Sequence, residues 1–198
     1  MRERPHSWAG RLGISTLVGV VAIASGSVSA LAQTGGSGPP GAPTTTTTTT
    51  TPTAVPGVAT LNTDGTAIPP IDAPRPVRKA INAGNRIHTF PYVWGGGHNR
   101  KFRGAGYDCS GAVSYVLHAA GLLRSPLSSG PLARSWGAPG VGQWITVYAN
   151  KTHAYAVIAG LRWDTSAVGE ALNQGSGPRW RVTQRDPTGY VARYFPGY

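Results

Sequence analysis

Apolar positions fall into three regimes along the chain. An uncharged, mostly apolar stretch runs from Leu12 to Ala32. A polar stretch from Gln33 to about Pro74 follows, with apolar side chains few and scattered. From Arg75 onward the pattern becomes periodic. Val77, Ala80, Ile81, Gly84 and Ile87 recur at helical spacing, as do Val113, Val116, Leu117 and Ala120. Four short apolar runs read as strands: Gln143 to Ala149, His153 to Gly160, Arg179 to Val182, and Tyr190 to Tyr194. Helices followed by strands predict an α+β domain over residues 75–198, a length that fits one core.

The first two regimes have their own readings. Arg2, Arg4 and Arg11 precede the apolar stretch, which ends in Ala30-Leu31-Ala32. Basic start, apolar middle and small-x-small end are the three parts of a secretory signal peptide, expected over residues 1–32. The alternative is an uncleaved anchor, for which Gly13, Gly19, Gly26 and the interspersed serines make a weak spanning helix. Residues 33–74 hold an unbroken Thr run from Thr44 to Thr51 among Pro and Gly. Such a segment cannot offset the entropy of ordering and is expected to be a disordered tether or a plain linker.

Charge and cysteine content narrow the chemistry. The net charge is +11, and from Arg75 onward fifteen Lys or Arg face four Asp or Glu. A basic exported domain favours anionic partners such as wall polymers, although the charges are scattered and no nucleic-acid-binding motif is present. A monomer without cofactor is expected, since no metal cluster or phosphate loop appears. The chain has one Cys. In an oxidising compartment it has no internal disulfide partner, which leaves a reactive thiol or a small buried hydrophobe.

The context of Cys109 separates these. Asp108 stands at an N-cap position, Cys109 opens the helix, and Gly121 is placed to end it. A thiol at a helix N-terminus meets the positive end of the helix dipole, which favours thiolate. Upstream, Pro91-Tyr92-Val93-Trp94-Gly95-Gly96-Gly97-His98 is aromatic and then glycine-rich, and three consecutive Gly permit close backbone approach.

Together, Tyr92-x-Trp94-Gly95-Gly96 and Tyr107-Asp108-Cys109-Ser110-Gly111 resemble the signature of the NlpC-type cell-wall cysteine peptidases. The resemblance is clear from Val77 to Gly121, weaker to Trp163, and faint beyond Thr165. It implies a reduced papain-like fold, with a Cys-bearing helix packed on an antiparallel sheet. It implies a nucleophilic Cys109 acting on an amide in the peptide stem of peptidoglycan, a His at the start of a later strand as base, and a third polar residue on the next strand. It also assigns Tyr92, Asp108 and Ser110 to the substrate cleft. Such chemistry needs a base beside the thiol and a group that orients the base.

Five histidines compete for the base. His6 lies in the signal segment and His88 ends a helix. His118 is in the Cys109 helix, about 13 Å further along its axis. His98 is in the glycine loop and can approach the cleft. His153 heads a buried strand, the place the family pattern requires, and is preferred over His98. Many members read Gly-His-Val-Gly-Ile there, whereas this chain has Thr152-His153-Ala154-Tyr155-Ala156. Counting across the next turn puts Asp164 beside His153 as the orienting residue; a strand-end cap or a surface pair with Arg162 is the alternative. Beyond peptide-stem hydrolysis, a wall-binding module without catalysis and a thiol acyltransferase remain open.

Overall fold

The computed structural model describes residues 57–168, 170 and 176–198, all within the unit Thr48–Tyr198. The expected signal segment and residues 33–56 of the expected tether lie outside them. Among the described residues no helix is long and apolar enough to cross a membrane.

The fold is α+β. It opens with a small antiparallel pair, β1 (Thr60–Leu61) and β2 (Ala67–Ile68). Helix α1 (Arg75–Ile87) starts with a proline in its first turn, where a missing N–H costs nothing, and buries Val77, Ala80, Ile81, Ala83, Gly84 and Ile87 on one face. Helix α2 (Cys109–Ala119) packs on α1, and its Val113, Val116 and Leu117 are buried. Each such side chain stabilises the fold by about 1.5–3 kcal/mol. Gly121, at φ +80°, ends α2 as expected, and its N–H bonds the His118 carbonyl. A short helix, α3 (Ser129–Arg134), follows.

Helices α1 and α2 lie against an antiparallel sheet. Its strands are β3 (Ala138–Pro139), β4 (Ile145–Ala149), β5 (Ala154–Ile158), β6 (Leu161–Asp164), β7 (Arg179–Arg181) and β8 (Val191–Tyr194), in spatial order β3-β8-β4-β5-β6-β7. The β5–β6 turn is Ala159-Gly160, with φ of +46° and +83°, the left-handed pair that a two-residue hairpin requires. Trp163 on β6 points into the helix layer, where its indole N–H donates to the Ala112 carbonyl of α2 at 3.0 Å. This contact ties the sheet to the helix that carries the thiol.

Three expectations need correction. The expected tether reaches residue 74, yet residues 57–74 fold onto the domain. The Asn85 amide bonds both the N–H and the carbonyl of Ala67 at 2.8 Å, and Ala59 N–H donates to the Ala159 carbonyl at 2.8 Å. Ala59, Ala67 and Ala73 are buried, so small side chains and backbone pairing achieve what large apolar residues usually do. Secondly, the strands are shorter than the apolar runs: Gln143 and Val182 lie outside β4 and β7, and His153 immediately precedes β5. Thirdly, α3 has no counterpart in the sequence reading; its Pro and Gly content hides its periodicity.

Candidate active site

The N-terminus of α2 is built by a clamp of backbone contacts. Tyr92 and Tyr107 form a parallel bridge, with Val93 N–H on the Tyr107 carbonyl and Tyr107 N–H on the Pro91 carbonyl. The following turn delivers the Gly96 carbonyl to Asp108 N–H at 3.2 Å. Gly111, in the first turn of α2, allows this approach: a Cβ there would overlap the Gly96 oxygen. The glycine run thus lets the loop press on α2. Asp108 caps the helix as expected, its Oδ1 accepting Gly111 N–H at 2.7 Å, while its Oδ2 accepts Gly95 N–H at 3.1 Å. Cys109, the first helical residue, is 8% exposed, at a cleft of about 500 Å³.

His153 reaches the thiol from the sheet side. The Asn150 side chain accepts the N–H groups of Thr152 and His153, each at 2.9 Å, and Asn150 N–H bonds the His153 carbonyl. That closed turn fixes the backbone of His153 at the mouth of β5. The Cys109 side chain is close enough to act on the His153 ring, and with Asp164 it favours the charged form. The ring Nε2 lies 2.9 Å from Asp164 Oδ1, which leaves Nδ1 for the thiol. Burial of the ring opposes its charge, but the hydrogen bonds and negative charge of Asp164 and Cys109 outweigh this and raise its pKa from 6.5 to about 9.

The pairing across β5–β6 differs from the simple count. Ala156 faces Trp163 and Ile158 faces Leu161, so the ladder extended places Tyr155 opposite Asp164, and His153 meets the carboxylate on the diagonal. Nor is Asp164 a surface residue: it is 2% exposed. Its Oδ1 also accepts Ser166 N–H at 3.0 Å, and its Oδ2 faces Arg185 Nη1 at 3.3 Å and Arg162 Nε at 3.5 Å. The expected alternative, a pair with Arg162, therefore exists in buried form alongside the His153 contact.

A charged network supports this pair. Arg162 on β6 and Arg181 on β7 stand directly opposite each other, which alone would be repulsive. Glu170 bridges them: Oε1 takes Arg162 Nη2 at 2.7 Å and Oε2 takes Arg181 Nη1. Arg185 lies over the Tyr155 and Tyr190 rings, 5.7 and 5.3 Å from their centroids, and Tyr190 packs edge-on to His153. Of the four acidic residues after Arg75, Asp108, Asp164 and Glu170 are all placed around the thiol or behind its histidine.

His98 belongs to a different cluster. Its Nε2 lies 2.9 Å from Asp108 Oδ1 and 3.2 Å from Ser110 Oγ, and Ser110 Oγ donates to the same carboxylate oxygen at 3.1 Å. Burial opposes the Asp108 charge, but these bonds, the Gly111 N–H and the His98 charge hold its carboxyl below the ordinary value. Tyr92 borders the cleft, and burial together with the negative charge of Cys109 and Asp108 pushes its phenol up. His118 is turned away, bonded to the Leu123 carbonyl and stacked on Phe102.

The structure thus brings Cys109, His153 and Asp164 into one chain of contacts, and Tyr92, His98, Asp108 and Ser110 into the adjoining cleft wall. Reading the sequence missed the place of Trp94, which is 87% exposed at the cleft, of Lys151 and Thr152, which also line it, and of the arginines around Asp164. The Arg-x-Asp of β6 and Arg-x-Arg of β7, alternating on neighbouring strands, were the available signal. Among the described residues no three His, Cys, Asp or Glu side chains gather as a metal site. Comparison with protein-family models, curated proteins and solved structures finds no match to this chain.

Proposed function

We propose that this domain is a cysteine hydrolase that cleaves an amide bond in the peptide stem of peptidoglycan. The observation that carries the reading is the grouping of Cys109, His153 and Asp164, with the thiol at a helix N-terminus and a buried carboxylate 2.9 Å from Nε2 of the imidazole. The Tyr92-to-Gly96 and Tyr107-to-Gly111 motifs, which resemble the NlpC-type peptidases, supply the substrate class. The helix-on-antiparallel-sheet arrangement fits the reduced papain-like fold of that resemblance.

The chemistry follows from the placement. His153 takes the thiol proton, and the Cys109 sulfur attacks the carbonyl carbon. The oxyanion that forms is met by the Cys109 N–H, one of the first-turn groups without an intrahelical acceptor. The C–N bond breaks as imidazolium gives its proton to the leaving amine. Water, deprotonated by His153, then cleaves the thioester and the proton returns to sulfur. Asp164 holds the imidazole with Nδ1 towards sulfur and stabilises its charged form. Tyr92, His98, Asp108 and Ser110 line the side that receives the stem peptide. Asp108 already accepts three bonds on Oδ1 and one on Oδ2, so a substrate amine would take its remaining Oδ2 lone pair. Lys151, the one Lys or Arg among the described residues that line the cleft, suits a substrate carboxylate.

Export, attachment to the wall through the basic surface, and action as a monomer complete the proposal. Digestion of purified peptidoglycan followed by mass spectrometry tests it. Fragments cut within the stem by wild type, and none by Cys109→Ala folded to the same circular-dichroism spectrum, are expected. Absence of release by wild type, or wild-type turnover by Cys109→Ala, overturns it.

A further inference from the structure

We propose that Arg185 is a positioning and tuning residue of the catalytic histidine, acting by sharing the Asp164 carboxylate with it. The inference rests on the hydrolase reading. The carboxylate is a bridge: Oδ1 serves His153 Nε2 and Ser166 N–H, and Oδ2 serves Arg185 and Arg162. A buried carboxylate facing imidazole alone would hold the imidazolium very firmly. An imidazole that must both accept a proton from the thiol and release it to an amine works best with intermediate affinity. A cation on the second oxygen draws charge from the first and repels the imidazolium.

The two arginines are not equivalent. Arg162 is fully buried and is also tied to Glu170 and to the Ser166 and Val168 carbonyls, so it belongs to the frame of the sheet edge. Arg185 has Asp164 as its only acidic partner among the described residues. Its guanidinium lies over Tyr155 and Tyr190, and Tyr190 in turn packs on His153. Cation–π contact fixes the guanidinium at Oδ2 without a second carboxylate to neutralise it. The groups around His153 are Cys109 from α2, Tyr155 from β5, Asp164 from β6 with Arg162 behind it, Tyr190 ahead of β8, and Arg185; Lys151 lies two residues before it on the same turn.

The test reads the histidine directly, without substrate. In the folded domain, the His153 imidazole is titrated by NMR, and the iodoacetamide rate of Cys109 is followed against pH. Arg185→Gln is expected to raise the His153 midpoint by about 0.5–1 pH unit, the effect of one nearby charge. Arg185→Met, whose stem keeps the packing on the tyrosines, should do the same, while Arg185→Lys should stay near wild type. An unchanged or lowered midpoint in both neutral variants, with only a lower melting temperature, overturns the proposal and leaves Arg185 a packing residue. Failure of wild type to cut peptidoglycan would instead overturn the functional reading and would not move this titration.

Discussion

Replacing Asp164 by Asn tests the support of the histidine most directly. The ordinary imidazole titrates at 6.5 and His153 at about 9. At about 1.4 kcal/mol per pH unit, the fold favours the charged ring by roughly 3 kcal/mol, shared between Asp164 and Cys109. The substituted amide retains the shape of the carboxylate but only one acceptor oxygen. Turned to His153 and Ser166, that oxygen leaves the amide NH₂ against the Arg162 and Arg185 donors; turned to the arginines, it leaves NH₂ against His153 Nε2. Either orientation juxtaposes donors in a site that is 2% exposed. The expected cost in stability is about 3 kcal/mol, the lower end for breaking a buried pair, because Glu170 still neutralises Arg162. The His153 midpoint should fall by about 1–2 pH units. Turnover on a stem peptide should fall about 10–100-fold with KM nearly flat, since an orienting group acts on the transition state. Asp164→Ala should be worse in rate. The assays are steady-state kinetics, the NMR titration and urea denaturation on both variants. Wild-type kcat together with a stability loss of only about 0–1 kcal/mol, as for an exposed ion pair, would refute the reasoning.

Other expectations follow from named contacts. Gly111→Ala should unfold or displace the clamp, because its Cβ would overlap the Gly96 oxygen; melting curves check this, and Gly121→Asn, at a position with open space, should be tolerated. His153 has a raised folded pKa, so its contribution to stability is full below about pH 6.5 and is lost as pH rises through about 9. Urea midpoints of wild type should therefore decline across that window relative to His153→Phe, and parallel curves would contradict the assignment. Lys151→Glu should raise KM for a stem peptide with a free carboxylate while leaving an amidated stem little changed; equal effects on both substrates would remove Lys151 from recognition. Binding of the basic domain to wall material should weaken as salt rises, and a salt-independent pull-down would exclude the electrostatic account.

Part of this protein was legible along the chain. Local rules fix the helix that begins at Cys109: Asp108 can cap, Gly121 can stop, and the apolar residues between recur at helical spacing. The apolar run after His153 likewise places β5 by short-range preference, although that run, read as a strand to Gly160, hides the Ala159-Gly160 turn. The thiol and its histidine could be paired because both sit at element ends and the motif resembles a family that joins them. The limits of the folded domain were not legible, since Ala59, Ala67 and Ala73 carry little hydrophobic signal. Ala59 and Ala67 are held in place only when Asn85 and the Ala159 carbonyl capture their backbone. The diagonal reach from His153 to Asp164 depended on a register set by strand pairing, which a count of residues along the hairpin misplaces. The charged setting of Asp164 was further from view. Arg162, Glu170, Arg181 and Arg185 are spread along the chain and read there as scattered surface charge. Only the pairing of β6 with β7 sets Arg162 against Arg181 and makes Glu170 necessary between them, because like charges opposed across a buried ladder must be neutralised.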